Sequence, residues 1–234
     1  MVDATTYEQG NMHLSPEKAT KVDLSFNFSS QAVNLFVNGY LSHTTDYISQ
    51  MTKMDNERLI TTYANADSDI KRGIEVSLKV TPAKWMNFSV GANTYYVTTE
   101  GVFEGMHIDN QGWTNNSNLL LDFVPWKGGD LQLQYFITTP QYYPQLTTSL
   151  THQMNMGIKQ RFMKGAMTAS ILVTDVLNTA KWDVWSNNSL FNLKNSSTNK
   201  SRMIWLGVSY NFNSFKQKSN QKAETDRSLI KLGL

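Results

Sequence analysis

The feature that most restricts this chain is an alternation of apolar and polar residues with period two, repeated along most of its length. Val22, Leu24, Phe26 and Phe28 oppose Lys21, Asp23, Ser25 and Asn27, and Val33, Leu35 and Val37 oppose Asn34 and Asn38. The same pattern runs through Ile74–Val80, Met86–Asn93, Leu131–Thr138, Met154–Lys159, Met167–Thr174 and Ile204–Phe212. Successive side chains on a strand point to opposite faces, so each segment has one apolar face and one polar face. With the less cleanly patterned Asn118–Val124, the count is about nine strands.

The connections alternate too. Short ones lie at Ser29–Ala32, Thr81–Lys84, Lys127–Gly129 and Met163–Gly165, and long polar ones at Gln50–Asp69, Thr98–Gln111, Thr139–Ser149 and Thr179–Ser201. If the last strand runs toward the short-turn end, every short turn falls at that end, the layout of bacterial outer-membrane barrels. Trp85 and Trp126 sit beside short turns and Tyr95, Tyr96, Tyr142 and Tyr143 near long loops, as two aromatic girdles require.

Composition supports a strand pattern divided between lipid and water. Only 17% of the 234 residues are charged, while 12% are aromatic. Asn, Ser, Thr and Gln supply the remaining polarity, which keeps the mean hydropathy at −0.40. There is no cysteine, so no disulfide or thiolate metal site can form. A net charge of +2 gives no reason to expect nucleic acid as a partner. No run approaches the roughly 18 apolar residues of a membrane helix. The opening MVDATTYEQG has neither the basic stretch nor the apolar core of a secretory signal. The expected organisation is an entry segment in an external loop (1–19), barrel strands (20–212) and a polar, flexible periplasmic tail (213–234) with a helical turn near Asp226–Lys231.

Several segments resemble TonB-dependent outer-membrane receptors, especially Bacteroidetes-type barrels. Gly10-Asn11 followed by Leu14, Pro16 and Glu17 is similar to the segment that enters a late barrel strand, with Met12 where the family has proline. Gly73-Ile74-Glu75, then Pro82 and Trp85, resembles a strand–turn–strand element, and Asp175-Val176-Leu177-Asn178 resembles the end of the penultimate strand. Leu206, Val208, Tyr210 and Phe212 resemble the C-terminal signal read by the barrel-assembly machinery. The resemblance covers about residues 8–212 and implies the late strands of a Gram-negative receptor. Its plug, TonB-contacting segment and early strands would lie elsewhere, and the TonB system would be reached only through that plug. An odd strand count points the same way, because single-chain bacterial barrels close with an even number and an open edge in hydrocarbon strands backbone N–H and C=O groups.

No catalytic site, cofactor or metal is expected. His152, Met154 and Met156 share one strand face and admit a soft-metal reading, but lipid-facing methionines explain them as well. His13, His43 and His107 lack zinc spacing. Asn65, Asp67 and Asp69 open like a calcium loop, yet Ile70 and Val76 stand where glycine and glutamate are needed. Glu100, Glu104 and Asp109 are acidic neighbours in a polar segment, without a supporting base. Trp113, Tyr142, Tyr143, Trp182 and Trp185 are the candidate ligand contacts, because aromatics on external loops can stack on sugars or apolar cargo.

The chain therefore reads as all-β, an antiparallel transmembrane barrel of about nine late strands. The expected role is uptake of a bulky nutrient, such as a siderophore or an oligosaccharide. Two alternatives stay open: a small complete structural or adhesive outer-membrane barrel, and a soluble β-sandwich carbohydrate-binding module, whose strands would alternate in the same way.

Overall fold

The computed structural model describes residues 6–55, 58–188, 191–198 and 200–212. Its strands are β1 (Thr6–Gln9), β2 (Lys18–Ser29), β3 (Val33–Asp55), β4 (Arg58–Ala83), β5 (Met86–Phe103), β6 (Met106–Phe123), β7 (Gly129–Thr138), β8 (Thr147–Thr148), β9 (Thr151–Phe162), β10 (Met167–Thr174), β11 (Lys181–Asn187), β12 (Asn192–Thr198) and β13 (Met203–Tyr210). One continuous antiparallel sheet runs β13-β10-β9-β7-β6-β5-β4-β3-β2. β1 lies parallel beside the tip of β4, with Thr6 opposite Leu59 and Gln9 opposite Thr62. The nine strands of the meander are the nine that the alternation picks out. The predicted tail and its helical turn lie outside the described residues.

The ladder fixes which residues share a face. Asn38 pairs with Glu75 and Ser25, Glu75 with Asn93, and Asn93 with Asn116. That polar surface is knitted together. The Tyr40 hydroxyl bonds Asn93 at 2.9 Å, Asn38 donates to Asp23 at 3.0 Å, and Gln132 donates to Asp122 at 2.7 Å. The opposite face carries Val22, Leu41, Ile74, Val76, Leu78, Val90 and Leu119 in register. Leu24 is 81% exposed and Leu206 78% exposed. Such an apolar band is an aggregation hazard in water and the ordinary outer surface of a barrel in lipid. A sandwich would bury its apolar faces between two sheets; here one sheet leaves its apolar face open, so the soluble-module alternative is set aside.

The four short connections expected from the sequence, at 29–32, 81–84, 127–129 and 163–165, lie at one end. Ser30 N–H bonds the Val33 carbonyl at 2.8 Å to close the β2–β3 turn, and a 3-10 turn at Met163–Gly165 joins β9 to β10. Between Val80 and Ala83 the β4–β5 register shifts, which accommodates Pro82, a residue without an N–H to give to the ladder.

At the other end the structure corrects the sequence reading. The segments Gln50–Asp69 and Thr98–Gln111, expected as loops, are the outer parts of two long hairpins, β3–β4 and β5–β6. The β5–β6 tip is a two-residue turn with Glu104 at φ 50° and Gly105 at φ 77°, the positive pair a type I′ hairpin needs. At Asp46 (φ 54°) the ladder passes from Thr45 opposite Ser68 directly to Tyr47 opposite Ala66. Below this break the inner face takes even positions in β3, such as Tyr40; above it Tyr47 and Met51 turn inward. β4 changes phase at the same level, from Asp69 and Lys71 to Ala66 and Ala64. The alternation thus slips by one residue in both strands, and the two halves no longer share a phase.

The inner face also changes character above the break. Met51, Ala64, Ala66, Phe103, Met106 and Ile108 form a small buried apolar cluster with Tyr47 packed against it. This packed region gives the long-hairpin end a fixed floor.

Candidate functional site

Two segments build over that floor. The first, 139–150, crosses from β7 toward the free edge of β3. There the Gln145 carboxamide accepts the Thr52 N–H at 2.6 Å and donates to the Thr52 carbonyl at 3.0 Å. A side chain thereby stands in for a neighbouring strand and satisfies an edge that would otherwise be open. Thr114 donates to the Pro140 carbonyl at 2.9 Å, Asn110 to the Tyr143 carbonyl at 2.6 Å, and Tyr95 to Gln141 at 3.3 Å. The Tyr142 ring packs directly over Gly112, where a Cβ would lie 2.1 Å from it and would push the ring aside.

The second segment is the hairpin of β11 and β12, which joins β8 in a three-stranded sheet ordered β12-β11-β8. Its base is organised by Asp175, which is fully buried. The Asp175 carboxylate accepts the Thr179 N–H at 2.9 Å, the Ala180 N–H at 3.2 Å and the Ser201 hydroxyl. Burial alone would raise its pKa. The Ser201 hydroxyl, the two amides and the Arg202 guanidinium outweigh burial and hold the carboxyl below its ordinary value. Asn178 closes the turn with its N–H on the Asp175 carbonyl at 2.9 Å, and Arg202 donates to the Val176 carbonyl at 3.1 Å. Asp175-Val-Leu-Asn178 is therefore the anchor of the second covering segment.

Between the covering segments and the free edge of β3 lies a cavity of about 460 Å³ lined by Tyr47, Tyr63, Tyr143 and Trp182 together with Gln50 and Leu146. A second cavity of about 540 Å³ is lined by Met106, His107, Asp109 and Trp185 among others. Deeper on the inner face, Asp69 is buried, accepts the Thr99 hydroxyl at 2.8 Å and pairs with Lys71 at 2.9 Å; the Lys71 ammonium lies 5.6 Å from the Tyr47 ring centre.

The five candidate ligand aromatics do not form one group. Tyr143 and Trp182 line the first cavity together, whereas Trp185 lines the second and the Tyr142 ring is packed over Gly112. Trp113 is in strand β6 rather than a loop, on the outer face, 64% exposed and edge-on to Tyr96 at 5.5 Å. Sequence reasoning missed Tyr47 and Tyr63, which complete the first cavity. Both lie above the phase break, where the alternation that would have placed them is interrupted.

The remaining candidates are dispersed. Asn65 donates to the carbonyls of Ser15 and Asp46, while Asp69 turns to Thr99 and Lys71, so the apparent calcium loop does not converge. Glu104 pairs with Lys53 at 2.6 Å. His152 contacts the Tyr135 hydroxyl at 3.2 Å on the outer face beside Met154. Among the described residues no three His, Cys, Asp or Glu side chains come close enough to hold a metal ion. At the other end of the sheet, Leu206, Val208 and Tyr210 share the outer face of β13, and the Phe212 ring stands edge-on to Tyr210 at 4.8 Å.

The sheet has a polar face, an apolar exposed face, turns at one end and built-up hairpins at the other. A comparison with protein families agrees with this architecture: the profile described as the outer membrane protein beta-barrel family matches residues 1–210. The chain belongs to that family. A comparison with curated proteins finds no match. Family membership places the barrel in the outer membrane and makes the polar face the lumen. Short turns of such barrels are periplasmic, so the covered hairpin end is the extracellular mouth.

Proposed function

We propose that this barrel chain supplies the late strands of a TonB-dependent receptor that takes up a bulky nutrient, a siderophore or an oligosaccharide, across a Gram-negative outer membrane. The observation that carries the reading is the mouth. A polar lumen opens beneath two docked covering segments, and between them and the wall is an aromatic cavity large enough for a small ligand. A barrel serving only as a membrane anchor has no need of such a cavity. The resemblance to Bacteroidetes-type receptors adds weight, since Asp175 and Asn178 organise the base of one covering segment and Asn11 donates to the Tyr63 carbonyl at 2.9 Å beside the cavity.

In this reading β2 and β13, the two edges of the described sheet, pair with further strands of the same receptor. A plug supplies the contact with the TonB system, and the chain carries no catalysis. Tyr210 and Phe212 present the edge read by the barrel-assembly machinery. The smaller structural or adhesive barrel has one observation in its favour, the long β3–β4 and β5–β6 hairpins that project beyond the aromatic belt.

The test is uptake by cells carrying the full native protein, with labelled oligosaccharide or ferric siderophore, with and without TonB. Accumulation that disappears without TonB supports the receptor. Accumulation or conductance indifferent to TonB, or no uptake together with surface adhesion, overturns it.

A further inference from the structure

The lipid-facing surface carries a group of residues that an apolar band does not explain. Along β4 the outer face reads Ile70, Arg72, Ile74, Val76, Leu78 and Val80, an arginine set in an otherwise aliphatic run. Arg72 is opposite Leu41 on β3 and Tyr96 on β5, and Tyr96 is opposite Trp113 on β6. Arg72 therefore stands at the level of the outer aromatic belt, where such rings sit among lipid headgroups. Basic residues occupy the same end of the two neighbouring strands. His43 of β3 is opposite Ile70 and so diagonal to Arg72, and Lys18 of β2 is opposite Thr45, one outward-facing step beyond His43. All three are exposed. Among the described residues, none of the three side chains has a hydrogen-bond or ion-pair partner.

An unpaired arginine at that depth restricts what can lie beside it. A cation leaves water at little cost only when an anion or strong acceptors replace its hydration shell. The aliphatic side chains around Arg72 supply neither. The carboxylates on the same face, Glu100 and Asp109, are level with Lys18, four residues beyond Tyr96 and Trp113. At about 3.3 Å per residue they are roughly 13 Å farther out, more than the Debye length of about 8 Å at physiological ionic strength. What meets Arg72 at its own level is a lipid headgroup, and a phosphate offers the paired oxygens that a guanidinium binds through two parallel N–H donors. Diagonal cross-strand neighbours lie about 7–8 Å apart, within reach of long side chains, so His43 can donate to the same phosphate. Trp113, 64% exposed, adds a ring N–H on the other side. Toward the bilayer, Gly39 is opposite Leu24 and Ile74 and leaves open space on this face, room for an acyl chain below the headgroup.

We infer that Arg72 and His43, with Trp113 beside them, form a binding site for the phosphate of a lipid headgroup in the outer leaflet. Lys18, a step nearer to water, adds positive potential that draws the phosphate in. The inference depends on the assignment of the apolar face to lipid and not on the uptake reading.

The experiment uses the full native protein, extracted from outer membranes, freed of lipid in detergent and titrated under native mass spectrometry. The probes are a monophosphorylated lipid A, dioleoyl phosphatidic acid and dioleoyl phosphatidylcholine, with inorganic phosphate as the soluble anion. At least one of the two phosphomonoester lipids is expected to bind about 10-fold more tightly than phosphatidylcholine, whose phosphate is balanced by choline. Arg72→Gln should weaken that binding by about 10-fold, the loss of one charge-assisted hydrogen-bonding group. Arg72→Lys should recover part of the loss, since it keeps the charge without the fork. His43→Gln should weaken binding by about 2- to 3-fold, one neutral hydrogen bond, and tests the same site by a separate substitution. Lys79→Gln, on the inner face opposite Asn34 and Ser89, should leave lipid binding unchanged. Each variant is compared only where it gives the heat-modifiable band of the parent.

Equal affinity for all three lipids overturns the inference, as does unaltered binding in both the Arg72 and the His43 variants. Displacement of the bound lipid by equimolar inorganic phosphate would assign the site to a soluble anion and likewise overturns it. Loss of the uptake reading would alter none of these results, so the two fail separately.

Discussion

Val76 and Ser77 are adjacent in β4 and face opposite solvents, so the same substitution at each reads the barrel's orientation directly. Val76 pairs with Val37 and Ala92 on the outer face, and Ser77 with Phe36 and Gly91 on the inner face. Along β5 the outer face runs from Phe88, next to the short turn, to Tyr96 in the belt with Trp113. At about 3.3 Å per residue and a tilt of about 40°, those eight steps span roughly 20 Å of bilayer. Ala92, opposite Val76, is at their midpoint. Arginine on the lipid face at midplane costs about 2–4 kcal/mol, so Val76→Arg should lower the folding equilibrium constant about 30- to 1,000-fold. Ser77→Arg, in the wet lumen, should stay within about 0.5 kcal/mol. The assay is reversible urea unfolding of the full protein in lipid vesicles, followed by the heat-modifiable band and by tryptophan fluorescence. Equal costs at the two positions, or a larger cost at Ser77, would refute the assignment of lumen and lipid faces.

Asp175→Ala should leave the Thr179 and Ala180 amides and the Ser201 hydroxyl without their acceptor. The β11–β12 hairpin should then loosen by about 2–5 kcal/mol, seen as faster protease cleavage within 175–202. The pH dependence of the parent follows from the lowered carboxyl pKa. The stabilisation is complete above the unfolded carboxylate value of about 4 and is lost as pH falls through the lower folded value. Protease sensitivity of the hairpin should therefore rise only in strong acid, and not at all with pH in the alanine variant. Gln145→Ala removes both bonds to Thr52 and should raise hydrogen exchange at the Thr52 amide by about 10-fold, one to two net hydrogen bonds. Phe212→Ala should reduce the heat-modifiable fraction in cells while leaving refolding in vesicles unaltered, if its ring serves assembly rather than stability; equal losses in both assays would count against that role.

The sequence alone determined the nine strands of the meander, their polar and apolar faces and the end at which the short turns gather. Each of these follows from the pleat, a property of neighbouring residues: lipid on one side and water on the other leave a period of two that any single strand displays. Trp85 and Trp126 could be placed beside the short turns for the same reason. Only the tertiary structure decided what happens above the membrane. There both faces meet water or protein, so polarity no longer reports direction, and the breaks at Asp46 and beside Asp67 shift the inner face by one residue. Tyr47 and Tyr63 join Tyr143 and Trp182 through contacts between residues far apart in the chain. Trp113 leaves that company because one position along β6 separates the inner face from the outer. The cavity exists because the Gln145 carboxamide, 93 residues from Thr52, replaces a missing strand neighbour, and pairing over that distance leaves no period in the sequence.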